Sequence, residues 1–303
     1  MNHLVVITAP PAAGKTYLIS SLIEEMQESP LVLAPLRALV DECSHRWQER
    51  ATVRTPEAWL ANPVSRNLVI IDEFHLNFYW GDSFRPAMWE AFYGACSEAD
   101  IVILLTATLN QEAQNYISSL SPITSVRWLN YGNQCLKNKP QNYLKFSSLK
   151  VLRDYILQLG KTSDGHLIFC RYRNEVLKWE EHLTLKGFTV WTCLGGEASS
   201  FAKKVQNEKP PQFIVATTVL SHGVNLPQIK HVYFTYPIRN IDFWIQMVAR
   251  GGRRGEAFKV YGLEAPVGLQ WSRMTNFLAI QWIELKMELQ VLKEKLSTWF
   301  LKA

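Results

Sequence analysis

The chain has 303 residues, 48% of them hydrophobic and 19% charged, a composition that can bury two cores and is not that of a disordered chain. Its formal net charge of +5 is compatible with a polyanionic partner but does not indicate one by itself. Five cysteines without a CxxC pair exclude a zinc site or disulfide framework, and no apolar stretch approaches transmembrane length. Met1 lies close to the first predicted strand, so we expect no targeting segment and a soluble, cytoplasmic protein.

The first chemical motif of the chain is a phosphate-binding loop at residues 9–16. It follows the apolar run 4–7 and precedes a segment with helical spacing, which is the strand–loop–helix context that such a loop requires. Backbone N–H groups and the helix N-terminus would bind phosphate, Lys15 would reach the β- and γ-phosphates, and the Thr16 hydroxyl would ligate magnesium. The loop therefore predicts binding of a nucleoside triphosphate.

Three further apolar runs, at residues 31–34, 68–71 and 101–105, are each followed by a polar cluster and a helical pattern. Strands of this continuous apolar kind are typical of a parallel sheet buried on both faces. Such sheets bind ligands at the carboxyl ends of their strands, which is where the polar clusters fall.

Two acids, Asp72 and Glu73, follow the run at 68–71 directly. An aspartate in this position can hold magnesium opposite Thr16, and the adjacent glutamate can orient or deprotonate the water that attacks the γ-phosphate. The pair therefore indicates a nucleotide-hydrolysing site.

The rest of the chain predicts a second domain and a C-terminal helix. We predict a first domain at 1–131, a polar and turn-rich linker at 132–148, and a second α/β domain at 149–265 without a phosphate-binding loop of its own. A helix is expected at 266–303, where apolar residues follow a heptad spacing over 278–299. This helix could form a coiled-coil dimer or pack on the domains of its own chain.

The motifs of the first domain resemble those of superfamily 2 helicases when they are read together. Residues 72–75, Asp-Glu-Phe-His, resemble the DExH box, and residues 106–108, Thr-Ala-Thr, resemble the coupling motif. Residues 33–42 resemble the motif that grips a nucleic-acid backbone. Residues 55–59, Thr-Pro-Glu-Ala-Trp, and residues 81–90 are similar to two segments of the superkiller-type branch of these helicases.

The second domain continues the resemblance in the same order. Residues 216–227 are similar to motif V of that branch almost residue for residue, and residues 246–253 resemble motif VI, QxxGRxGR. Ala249 stands where motif VI has its first glycine, so the turn there is expected to differ slightly. The resemblance implies an α/β fold of two RecA-like domains, each a parallel sheet flanked by helices, with ATP in the cleft between them.

The resemblance also implies roles for individual residues. Catalysis is implied for Lys15, Asp72, Glu73, Gln246, Arg250 and Arg253, the two arginines as fingers from the second domain. Nucleotide contacts are implied for Ala13, Gly14, Lys15, Thr16, Gly223 and Asn225, with magnesium at Thr16 and Asp72. Coupling is implied for His75, Thr106 and Thr108, and nucleic-acid contacts are implied for Arg37, Thr55, Arg173 and Thr217.

We therefore expect an ATP-dependent helicase or translocase that moves 3′ to 5′ on single-stranded nucleic acid, with DNA slightly preferred over RNA and no membrane partner. The superkiller-type branch continues into winged-helix and ratchet domains, which we do not expect in this chain, so processive unwinding is left open. The alternative is an ATP-switched clamp that unwinds little and binds a protein partner, or a second copy of itself, through residues 278–299.

Overall fold

The computed structural model describes residues 3–162 and 164–263, which form two compact units, residues 3–137 and residues 138–263. The predicted helix at 266–303, with its heptad pattern at 278–299, lies outside the described residues. No helix in the described ranges is long and apolar enough to cross a bilayer.

The first domain is a six-stranded parallel sheet in the order β3-β2-β4-β5-β1-β6. Its strands are β1 (His3–Thr8), β2 (Leu31–Leu33), β3 (Thr52–Arg54), β4 (Leu68–Ile71), β5 (Ile101–Thr106) and β6 (Ser125–Asn130). Its α-helices are α1 (Lys15–Glu25), α2 (Arg37–Trp47), α3 (Pro56–Ala61), α4 (Ala87–Glu98) and α5 (Gln111–Ser119), and a π-helix spans Asn77–Gly81.

Apolar side chains on both faces of the central strands explain this layered arrangement. Alternate residues of β1 and β5 enter two separate cores, one containing Val6 and Leu104, the other Val5 and Ile103. A strand buried on both faces needs no polar alternation, which is why these strands are continuous apolar runs in the sequence. The α/β fold with a parallel sheet is confirmed.

The second domain is another six-stranded parallel sheet, in the order β7-β12-β11-β8-β10-β9. Its strands are β7 (Asn142–Phe146), β8 (His166–Phe169), β9 (Val190–Cys193), β10 (Phe213–Ala216), β11 (His231–Phe234) and β12 (Lys259–Leu263). Its helices are α6 (Leu149–Leu159), α7 (Arg173–Leu185), α8 (Ala198–Asn207) and α9 (Ile241–Val248), with a 3-10 turn at Thr218–Ser221.

The segment predicted as a linker, 132–148, differs from what the structure contains there. Strand β7 lies inside it and pairs with β12, and the second unit begins at Asn138. Strand β7 is an edge strand whose residues are exposed or half-buried, so its sequence lacks the continuous apolar run that marks the central strands.

A stack of polar aromatic rings lies at the amino end of the second sheet. His166 and His231 are register partners on β8 and β11, with ring centroids 4.7 Å apart, and the His166 ring also stacks on Phe213 at 4.6 Å. The Nδ1 atom of His166 lies 3.0 Å from the hydroxyl of Tyr233. Burial, and then the neighbouring His231, lower the pKa of His166 to about 3, so this ring is neutral in the folded domain.

Candidate functional site

The phosphate-binding loop is held in shape by hydrogen bonds from the Lys15 side chain to backbone carbonyls of the loop. Gly14 has φ +102° and precedes α1, whose N-terminus is capped by no side chain, and Ala12 is also left-handed at φ +61°. The Lys15 ammonium donates to the carbonyls of Ala9 at 3.0 Å and Pro10 at 3.3 Å, which holds it over the loop. A cation above a helix N-terminus is a suitable arrangement for binding phosphate.

The segment that follows β6 contacts this loop, which the sequence did not lead us to expect. Lys137 donates from Nζ to the carbonyl of Ala12 at 3.0 Å. Gly132 packs so closely that a Cβ there would lie 3.1 Å from the ring of Pro10. The segment had been assigned to the linker because it is polar and rich in turn residues, and no spacing in the sequence distinguishes Lys137 from an ordinary surface lysine.

The two acids stand at the end of β4 in a strained conformation. Asp72 continues the strand with an N–H bond to the Leu33 carbonyl, and its Oδ1 accepts from the N–H of Glu73 at 2.9 Å. Glu73 has φ +51°, a left-handed conformation that costs a glutamate on the order of 1–3 kcal/mol. Strain of this kind at a non-glycine residue is concentrated at functional sites.

The environment of Asp72 suits a cation. Burial and the neighbouring charge of Glu73 raise the pKa of Asp72 above its ordinary value, while Lys15 lowers it. A desolvated carboxylate beside a phosphate loop gains most from a divalent cation, and the hydroxyl of Thr16 adds another oxygen ligand of the kind magnesium takes. The donor set of the first domain therefore fits Mg²⁺ bound together with a nucleoside triphosphate.

Hydrogen bonds join the acidic pair to the predicted coupling residues. The Thr106 hydroxyl donates to the Thr108 carbonyl at 2.8 Å, so its oxygen accepts from Nδ1 of His75 at 3.0 Å. The same Nδ1 lies 3.5 Å from Oε2 of Glu73. His75, Thr106 and Thr108 are all buried. The structure thus brings Glu73 and the three coupling residues into one network spanning β4 and β5.

In the second domain, the side chain of Arg250 is buried. Its side chain donates to the Ser221 carbonyl from Nη2 at 2.6 Å and to the Val224 carbonyl from Nη1 at 2.6 Å. It is 5% exposed, whereas Arg253 is half-buried and lies 3.4 Å from the Val224 carbonyl. These contacts join the Arg250 side chain to the backbone of the motif V segment, while Arg253 is the more accessible of the two arginines.

Other residues of motifs V and VI have distinct environments. Gln246 is 3% exposed, and its Nε2 atom has no hydrogen-bond partner among the described residues. Ala249 has φ −66°, a helical value that a Cβ tolerates, so alanine does not distort the turn where motif VI has glycine. Gly223 is left-handed at φ +72°, and Asn225 follows on the surface.

The predicted nucleic-acid residues all follow strands, so within each domain they lie at the carboxyl edge of the sheet. Arg37 is exposed at the start of α2, and Thr55 caps α3 by accepting from the N–H of Ala58 at 3.3 Å. Arg173 is exposed and donates to the Gly195 carbonyl at 3.1 Å, and Thr217 is half-buried after β10. For Thr55 the cap is a structural role that requires no ligand.

Arg85 joins its own segment to α3 and to the loop after β2 in the first domain. Its Nε and Nη2 atoms bind the two carboxylate oxygens of Glu57 at 2.8 Å each, and Nη1 donates to the Pro35 carbonyl at 2.5 Å. A bidentate pair of this kind fixes orientation as well as distance. Glu57 and Arg85 both lie in segments that resemble the superkiller-type branch, but the contact between them was not predicted.

Comparison with known proteins finds that the chain is similar to helicases. Residues 147–255 match the family described as the helicase conserved C-terminal domain. The chain is 29% identical over 164 residues to DEAD-box ATP-dependent RNA helicase 35B of rice, which covers 51% of this chain and 25% of the relative. It is 29% identical over 199 residues to the ATP-dependent DNA helicase RecQ of Haemophilus influenzae, covering 61% of this chain and 30% of the relative.

A solved structure of Dbp5 from S. cerevisiae, bound to RNA and ADP BeF3, is similar over 96% of this chain and 89% of Dbp5, with a TM-score of 0.69. The identity is 14%, so this likeness concerns the fold. The matches to the two curated helicases span about a quarter and about a third of their lengths. Residues 147–255 thus match the conserved C-terminal domain of helicases, and the two matched relatives are named as an RNA helicase and a DNA helicase.

Proposed function

We propose that the protein is an ATP-dependent helicase or translocase of the DExH type that acts on single-stranded nucleic acid. The observation that carries the proposal is the network of Glu73, His75 and Thr106 beside the phosphate-binding loop. It connects a candidate catalytic carboxylate that follows β4 to the end of the neighbouring strand β5.

The roles of the residues follow from their chemistry. The backbone amides at the start of α1, together with Lys15, would bind the phosphates, and Thr16 and Asp72 would hold magnesium. Bound ATP with Mg²⁺ supplies the phosphoanhydride bond whose cleavage drives the cycle. Glu73 orients the attacking water and accepts its proton. Arg253 stabilises charge on the transferring phosphoryl group, and Arg250 holds the loop from which Asn225 contacts the nucleotide.

The finer assignments rest on the sequence motifs. The superkiller-type branch and 3′ to 5′ movement follow from the resemblance of residues 55–59, 81–90 and 216–227 to that branch. We keep DNA as the slightly preferred strand; one matched relative is named as an RNA helicase and another as a DNA helicase, so the test includes both strands.

The test is the ATPase rate of the full chain with single-stranded DNA, with single-stranded RNA and with neither. We expect turnover to rise at least several-fold with one or both strands. Turnover that no strand stimulates would contradict the proposal. Lys15→Ala is the negative control, because the loop then loses the ammonium that binds the phosphates.

A strand-displacement assay separates a helicase from an ATP-switched clamp. A helicase displaces the shorter strand of a tailed duplex in the presence of ATP, and 3′ to 5′ movement requires a 3′ tail. Stimulated ATP hydrolysis without displacement on a 3′-tailed or a 5′-tailed duplex would favour the clamp.

A further inference from the structure

A cavity of about 460 Å³ opens at the carboxyl edge of the second sheet. Three neighbouring strands supply its walls, because β11, β8 and β10 lie side by side and the loop after each one contributes residues. We call it the second-domain pocket; it is lined by Arg171, Thr218, Tyr236, Pro237, Ile238, Arg239, Asn240, Phe243 and Met247. None of the roles assigned above uses this pocket.

Two arginines give the pocket positive charge. Arg171 and Arg239 are both exposed, and neither guanidinium forms an ion pair with any acid in the described part of the chain. The Arg171 guanidinium lies over the ring of its neighbour Tyr172 at 5.2 Å. Two unpaired guanidinium groups bordering one cavity favour an anionic ligand, and their planar donors suit phosphate oxygens.

The interior of the pocket is aromatic and offers hydrogen bonds. Tyr236 and Phe243 contribute rings, and burial raises the pKa of Tyr236 to about 12, so its hydroxyl stays neutral. Asn240 uses its Oδ1 to cap α9, accepting from the N–H groups of Asp242 and Phe243. Its side-chain NH₂ has no partner within the described ranges and remains a donor. A flat heteroaromatic ring with acceptors on its edge fits these walls.

Anionic groups flanking a flat ring are the chemistry of a nucleotide. We propose that the second-domain pocket receives one base of the bound single strand, while Arg171 and Arg239 hold the phosphates on either side of it. The position of the pocket supports this proposal. Thr218 in its wall is next to Thr217, and Arg171 lies two residues before Arg173. We expect Thr217 and Arg173 to contact the nucleic-acid backbone. The inference rests on the proposed function. It adds a contact with a base to a site whose other expected contacts are with the nucleic-acid backbone.

The first measurement is binding of a fluorescein-labelled twelve-nucleotide oligo(dT), and of its ribonucleotide counterpart, to the full chain. Arg171→Ala and Arg239→Ala should each weaken binding about fivefold and reduce the slope of log affinity against log salt by about 0.7, as expected for one lost phosphate contact. Arg153→Ala is the matched control, an exposed arginine of the same domain that lines a different groove between α6 and α7. It should bind as the wild type does. Arginine variants that also behave as Arg153→Ala would overturn the proposal.

The second measurement places a single abasic site at each position of the oligonucleotide in turn. In the wild type, one position should weaken binding on the order of tenfold, as expected for the loss of one stacked base. Phe243→Leu keeps an apolar wall but removes the ring, so it should bind intact strands more weakly and lose that position dependence. A flat abasic scan in the wild type would contradict the base contact. Competition by free dTMP to the same extent as by the strand would identify a mononucleotide site instead.

The two proposals fail in different ways. If the wild type binds no strand and its ATPase is not stimulated, the proposed function fails together with the pocket. If the wild type binds and is stimulated while Arg171→Ala, Arg239→Ala and Phe243→Leu match it, only the role of the second-domain pocket is refuted.

Discussion

At the scale of single residues, the site places like side chains in unlike environments. Asp72 and Glu73 are neighbours, yet Asp72 continues the strand and Glu73 turns away from it in a left-handed conformation. Arg250 and Arg253 belong to one motif, yet one is buried against carbonyls and the other is half-buried. The variants of each pair should therefore fail for different reasons.

Glu73→Gln should keep ATP binding and reduce turnover by at least about 100-fold, because an amide cannot accept the proton of the attacking water. The measurements are kcat and the equilibrium binding of a fluorescent ATP analogue. Glu98→Gln, at the exposed end of α4, is the control and should hydrolyse ATP at the wild-type rate. Wild-type turnover in Glu73→Gln would refute its role as the base.

Arg250→Ala should lower the free energy of unfolding by about 3 kcal/mol, because it leaves the Ser221 and Val224 carbonyls without their charged donor. Arg253→Ala should stay within about 1 kcal/mol of the wild type and lose hydrolysis, since its role concerns the transition state. Urea unfolding and ATPase rates of both variants decide between the roles. An Arg250→Ala protein of wild-type stability would show that its contacts do not support the fold.

At the scale of elements, the segment after β6 contacts the phosphate-binding loop. Lys137 binds the Ala12 carbonyl, and Gln134 donates its N–H to the Ala107 carbonyl in the coupling motif at 3.2 Å. The chain leaving the first sheet thus contacts both the loop and the end of β5. A substitution in this segment should therefore change nucleotide binding, although the segment is distant in sequence from the phosphate-binding loop.

Lys137→Ala should raise the KM for ATP several-fold with a smaller effect on kcat, because it frees a loop residue held in a left-handed conformation. Lys137→Arg should recover part of the loss by supplying another donor to the Ala12 carbonyl. Lys139→Ala, two residues further on and exposed, should leave KM unchanged. Steady-state ATPase kinetics of the three variants give the KM values. Equal KM values for Lys137→Ala and Lys139→Ala would show that the bond from Lys137 to the Ala12 carbonyl does not support ATP binding.

The paired histidines of β8 and β11 predict loss of stability in acid. The folded pKa of His166, about 3, lies below the ordinary value of 6.5, so unfolded chains bind more protons between these values. The contribution of neutral His166 to the free energy of unfolding is complete above pH 6.5. It is lost as the pH falls toward 3, at up to about 1.4 kcal/mol per pH unit. Burial lowers the pKa of His231 as well, which adds in the same direction.

His166→Phe should keep the stack on Phe213 and flatten this pH dependence. At pH 7.5 it should cost about 1 kcal/mol, because the Tyr233 hydroxyl loses its partner. Urea unfolding of the full chain at pH 5.0 and 7.5 is the measurement, with the exposed His45→Gln as control. An equally steep acid loss in His166→Phe would mean that other groups cause it.

At the scale of the whole molecule, the net charge of +5 and the arginines at the sheet edges predict binding governed by phosphates. Affinity for a single strand should fall on the order of tenfold or more between about 50 and 200 mM salt. A fluorescence titration across that range measures it, with the intrinsic unfolding midpoint at each salt as the control for stability. Affinity that does not change with salt would contradict backbone recognition.

Much of the fold was predictable because buried parallel strands are continuous apolar runs, as in β1, β4 and β5. The edge strands β6 and β7 were missed because each pairs on one side only and carries exposed residues. The phosphate loop and the acidic pair were predictable because their chemistry is local in sequence. The contacts of Lys137, Arg85 and Arg250 were not, because each binds a carbonyl or carboxylate whose position depends on the tertiary fold.

At position 73 the stability of the fold and the activity favour different residues, because glutamate is strained in a left-handed conformation but supplies the proposed catalytic carboxylate. Asparagine or glycine would adopt φ +51° at lower cost than glutamate, so a library selected for thermal resistance alone should drift away from glutamate there. A library selected for turnover should retain it. The residue found at position 73 in evolved variants would therefore record which of the two pressures had acted on them.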